Sequence, residues 1–194
     1  FTVAATGAGL TYQWRLNGNN LSNGTGISGV NSPTLNLSNL TSANTVLAAA
    51  GYDCVVSSSC GSPVTSARVA LTVNTAPAIT VQPTAQTACS TPGTASFNIT
   101  ATGDGLTYQW RLNGVNLSNG TGISGVNSPT LNLSNLTSAN TVLAASGYDC
   151  VVSGVAPCVS VTSSRVALTV NTVAAITTQP TDQTACTGTS ASFT

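Results

Sequence analysis

The chain has 194 residues, of which only 4 % are charged: four Arg and four Asp, with no His, Lys, Glu or Met. Zero net charge and no basic cluster exclude a nucleic-acid footprint and a cationic membrane-surface helix. The lack of His removes Ser–His and Cys–His nucleophile pairs, while 41 % hydrophobic residues predict a packed core rather than disorder.

Repetition organises the chain. Residues 10–57 and 106–153 differ only at Asn19/Val115 and Ala50/Ser146, and Phe1, Phe97 and Phe193 recur at an interval of 96 residues. The frame therefore reads as a unit without its first strand (1–75), a complete unit (76–172) and the first strand of a third (173–194). With no initiating Met and no signal peptide in view, the expectation is an interior window of a longer tandem array. The rarer alternative is strand donation, in which 173–194 completes the strand-deficient first unit of another copy.

Within the complete unit the hydrophobic pattern has period two. "ASFNITATG" puts Ala95, Phe97, Ile99 and Ala101 on one face. "LTYQWRLNG" puts Leu106, Tyr108, Trp110 and Leu112 inward and Arg111 outward. "TLNLSNL" buries Leu131 and Leu133. "TSANTVLAAS" has room for one helical turn. "GYDCVVS" buries Tyr148, Cys150 and Val152 and turns Asp149 outward. "SRVALTV" buries Val166, Leu168 and Val170 and turns Arg165 outward. About seven short strands punctuated by Gly, Asn, Ser and Pro predict an all-β sandwich. Trp14, Trp110, Tyr52, Tyr148 and Phe97 are its predicted core, and all nine aromatic residues fall on inward positions. No run of about 18 apolar residues is present, so no membrane-spanning helix is expected in this segment.

The strand with "YQW", the strand "PTLNLSNLT", then "GYDCVVS" and the closing "RVALTVN" resemble the tandem immunoglobulin-like repeats of large secreted or cell-surface bacterial proteins of the Bacteroidota type. The Tyr-x-Cys following the Trp strand carries the resemblance, which extends over the whole chain. It implies seven strands, A to G, in an elongated array, an extracellular or cell-surface location and no enzymatic activity. The sequence departs from antibody-type domains in that Val3 and Ile99 occupy the strand-B Cys position.

That departure raises the question of the cysteines. Cys54 and Cys150, on strand F, are expected to pack as small buried hydrophobes; the rival reading bonds them to Cys60 and Cys158 in the F–G turns. Cys89 and Cys186 precede strand B. A strand of 9–10 residues spans about 30 Å, and a disulfide needs Cα atoms within about 7 Å. Cys89 and Cys158 therefore should not pair within one domain. Cys158 is instead expected to bond the Cys89 equivalent of the preceding unit, and Cys89 the F–G Cys of the following one; free or differently paired thiols are the alternative.

Chemistry is otherwise sparse. Arg111, Asp149 and Arg165 are expected to form a row of surface ion pairs on strands C, F and G. Asp104, in the B–C turn "TGDGLT", reads as turn chemistry, and isolated acids make no metal cage. No cofactor is expected. The predicted role is a structural fibre, stalk or surface-layer repeat whose partners are neighbouring copies of itself. The alternative is an adhesin that binds a surface ligand or glycan through its B–C and F–G turns.

Overall fold

A computed structural model describes residues 1–46, 48–90, 93–142 and 144–193. The chain folds as all-β, immunoglobulin-like sandwiches. It forms two compact units: Phe1–Ala78 with Ala101–Leu106 and Ser153–Val161, and Ile79–Thr100 with Thr107–Val152 and Thr162–Thr194.

In the first repeat the strands are β1 (Thr11–Leu16), β2 (Asn19–Asn20), β3 (Ile27–Ser28), β4 (Asn36–Leu37), β5 (Tyr52–Ser57) and β6 (Val64–Thr65). One sheet runs β2-β1-β5-β6, and β3 pairs with β4. The β1–β2 hairpin turns on Asn17-Gly18, both with positive φ (49° and 80°), which matches the twist of the two strands. Antiparallel register sets Trp14 opposite Cys54 and Arg15 opposite Asp53. Trp14, Val30, Leu35, Tyr52 and Cys54 form the core.

From Ala78 onward the strands are β7 (Ala78–Val81), β8 (Gln86–Cys89), β9 (Gly93–Asn98), β10 (Thr100–Thr102), β11 (Thr107–Leu112), β12 (Val115–Asn116), β13 (Ile123–Ser124), β14 (Thr130–Leu136), β15 (Tyr148–Ser153), β16 (Val161–Thr162) and β17 (Leu168–Asn171). The sheets are β12-β11-β15-β16 and β13-β14-β9, with the pairs β10-β7 and β17-β8. Phe97, Ile99, Trp110, Leu131, Leu133, Tyr148, Cys150, Val152, Val166, Leu168 and Val170 are buried, as the period-two pattern predicts. Leu136, whose burial the pattern did not predict, joins them because the register shifts between Ser134 and Leu136. The helical turn of "TSANTVLAAS" is two short 3₁₀ turns, Ser138–Asn140 and Ala144–Ser146; Leu143 lies outside the described residues.

The two near-identical segments do not bury the same residues. Leu136 is 4 % exposed but its equivalent Leu40 is 40 % exposed. Leu133 and Leu168 are buried, while Leu37 and Leu71 are only half-buried. The cause is local: β8 and the start of β9 pair with the strands that carry these positions in the second repeat, and the described residues among 1–75 include no counterpart of β8.

Two expectations need correction. Residues 173–193 carry no strand and are exposed throughout. A strand holds only against a partner, and the segment has none of the pairings that 78–81 and 86–89 make with β10 and β17. For the same reason Phe193 is 67 % exposed, rather than inward like Phe97.

Candidate functional site

Three constellations stand out: a buried ion triad in each repeat, the turn that grips residues 74–77, and the cysteines. The triad follows from strand register. Asp149 lies between Arg111 and Arg165, whose Nε atoms donate to its two carboxylate oxygens at 2.6 and 2.9 Å. Asp53 is held in the same way by Arg15 at 2.6 Å and Arg68 at 3.0 Å. The second guanidinium is fixed in turn by Nη1 donating to the Ala49 or Ala145 carbonyl.

The residues of the expected surface row do meet, but the carboxylate at its centre is not on the surface: Asp149 is 1 % exposed. Two Arg side chains laid across it remove it from water, since Arg covers neighbours with its apolar stem. Burial pushes the Asp53 carboxyl upward, but the hydrogen bonds and charges of Arg15 and Arg68 outweigh it and hold the group below its usual range. The site is an electrostatic clasp between β11 and β15, and between β1 and β5; the second Arg of each triad, Arg165 or Arg68, reaches it from outside the strands rather than from a strand G. No group of three or more metal-ligating side chains occurs among the described residues.

The core supports the clasp from the other face of the same strands. Phe97 stacks on Tyr148 with centroids 4.8 Å apart and lies 6.2 Å from Trp110. Trp110 Nε1 donates to the Ser128 carbonyl at 2.9 Å, so the indole is satisfied as well as buried. Ser163, which the hydrophobic pattern did not single out, is buried, and its Oγ accepts from the Cys150 amide at 2.9 Å.

The B–C turn makes a second site. Asp104 does more than shape its own loop: its carboxylate accepts from the Thr75 amide at 2.7 Å, and its amide donates to the Thr75 carbonyl at 3.1 Å. Its carbonyl accepts from Val155 N at 3.1 Å. Pro77 is buried, and Gly103 and Gly154 approach it so closely that a Cβ at either would lie about 3 Å away. The "TGDGLT" motif carried the signal for this contact in its Asp, which the first repeat replaces with Ala8.

All six cysteines are free thiols in the structure. Cys54 and Cys150 are fully buried, and burial drives the Cys150 thiol up to about 11. The rival cross-strand bonds to Cys60 and Cys158 are not made. The Cys158 thiol instead donates to the Asn74 carbonyl at 3.6 Å. Cys60, Cys89 and Cys186 are exposed.

No family model matches the chain, and no curated protein matches it. Solved structures do. Extracellular domains 3-5 of Drosophila OTK superpose with a TM-score of 0.61 at 23 % identity, over 84 % of this chain and 52 % of that one. An I-band fragment of titin superposes with a TM-score of 0.59 at 16 % identity, over 84 % of this chain and 56 % of that one. The chain thus spans about half the length of these structures. At such identities the likeness shows the tandem immunoglobulin-like fold alone. Among the described residues no helix is long and apolar enough to cross a membrane.

Proposed function

We propose that the chain is a non-enzymatic structural repeat of an extracellular bacterial fibre, stalk or surface-layer protein, and that its partners are neighbouring copies of the same repeat. The observation that carries this reading is the parallel pairing of β8 with β17, in register from Leu168–Gln86 to Asn171–Cys89. One strand lies near the start of the repeat and the other at its end. Tension along the chain pulls them in opposite directions, so the rungs of the ladder are loaded together in shear rather than peeled one at a time. Near-identical repeats add identical surfaces at a fixed interval, as a linear assembly requires. A surface with almost no charge has little repulsion to oppose association.

The adhesin reading draws on the F–G turn, which is one residue longer in the second repeat than in the first, 154–164 against 58–67. In the second repeat, however, the B–C and F–G turns are already engaged by residues 74–77, which weighs against a ligand site there. Electron microscopy of the native extracellular material, with gold-labelled antibody against this repeat, tests the proposal. Labelled fibres, stalks or a surface layer are expected. Label confined to the cell interior would overturn it.

A further inference from the structure

Two cysteine positions of the repeat border the same recurring Asn, one through strand pairing and one through its thiol. In the second unit, Cys89 pairs in register with Asn171, and the next amide, Ser90 N, donates to the Asn171 carbonyl at 2.8 Å. Asn74 is the equivalent of Asn171, because "RVALTVN" closes both repeats. The Asn74 carbonyl is where the Cys158 thiol donates, at 3.6 Å. A carbonyl oxygen has two lone pairs and accepts both donors. Where a repeat carrying its own 76–96 segment precedes Cys158, that segment's counterpart of Cys89 therefore sits one strand spacing, about 4.8 Å, from Asn74, beside the residue Cys158 already touches. The Cα atoms of bonded cysteines lie within about 7 Å, a separation open to two cysteines that border the same Asn74 backbone. Neither is sequestered: Cys89 is exposed, and Cys158 is half-exposed.

We infer that the Cys89-type cysteine of one repeat and the Cys158-type cysteine of the next form a disulfide staple beside the intervening Asn. The reaction is thiol–disulfide exchange with a small-molecule or protein disulfide. The first thiolate attacks the oxidant's S–S bond and expels one of its thiolates. The second thiolate then attacks the mixed disulfide, forming the staple and releasing the other. Two cysteine thiols are oxidised, one oxidant disulfide is reduced to two thiols, and the two protons leave with them. Cys54 and Cys150, buried on strand F, take no part.

The test places a copy of residues 76–96 directly before Phe1 of the full chain, so that the copied Ser96 joins Phe1 as Ser96 joins Phe97. The protein is folded in glutathione disulfide, alkylated and mapped by non-reducing peptic digestion. The expected result is one cross-linked species joining the copied Cys89 to Cys158, lost when Cys158→Ser is introduced. Alkylation of both residues, or a Cys150–Cys158 bond, overturns the inference. A second measurement needs no altered chain: a 76–96 peptide is added to the 194-residue protein in a glutathione redox buffer. Mixed disulfide at Cys158 is expected at least about tenfold ahead of the fully exposed Cys186. Labelling that follows exposure alone, with Cys60 and Cys186 first, contradicts it.

Discussion

Arg111 and Asp149 face each other across neighbouring strands at 2.6 Å, with the carboxylate almost wholly out of water although it points away from the hydrophobic core. Removing the acid leaves two guanidinium groups facing a neutral side chain. Asp149→Asn is therefore expected to destabilise the second unit by about 2 kcal/mol, less than a wholly buried pair because both Arg side chains reach solvent. Arg165→Ala should cost less than Arg111→Ala, since Arg165 is the more exposed partner. Urea unfolding of the three variants checks the order.

Acid should weaken the first unit through Asp53. Its folded carboxyl titrates below the unfolded value near 3.8. The stability it contributes is therefore fully present above that value and is lost as pH falls through the lower, folded one. Urea midpoints are expected to hold steady down to about pH 4 and then drop. In Asp53→Asn the part of the drop due to this group should disappear; an unchanged profile would show that Asp53 does not contribute it.

Trp110 tests the core. It is fully buried, with its indole N–H satisfied by Ser128. Trp110→Ala should cost about 3–5 kcal/mol, enough to unfold the second unit while Trp14 continues to report a folded first unit. A two-step unfolding curve for the wild type that keeps both steps in the variant would contradict this.

The thiols should separate by position. Iodoacetamide at about pH 8, where an ordinary thiol is partly ionised, is expected to alkylate the exposed Cys60, Cys89 and Cys186 in the native protein. Cys150 should be spared, since its thiol is buried and raised from 9.0 to about 11. Alkylation of Cys150 at the rate of Cys186 would show that strand F opens readily.

Much of this molecule is legible in its sequence because period-two alternation reports directly on a two-layer sandwich. Phe97, Trp110, Leu131, Tyr148, Cys150 and Leu168 all lie where alternation puts them. Alternation assigns a face, however, and not a depth. Asp149 alternates outward, yet it is buried where Arg111 and Arg165 close on its carboxylate. Alternation does not reach Leu136, because a register shift interrupts the period. The turn motif around Asp104 does not announce its partner, Thr75, which lies 29 residues away. The segment 173–193 shows the opposite limit: a strand-like sequence forms no strand without an edge to pair with.

Force spectroscopy on the 194-residue chain, held at its two ends, addresses the load-bearing claim most directly. The second repeat has the β8–β17 ladder, and the described residues among 1–75 include no counterpart of β8. Two unfolding events are predicted, each releasing roughly 250–350 Å at about 3.5 Å per residue. The weaker event should release the shorter length, from the first repeat, and the stronger the longer one. Equal forces for the two events, or smooth extension with no discrete event, would contradict a repeat built to carry tension through that ladder.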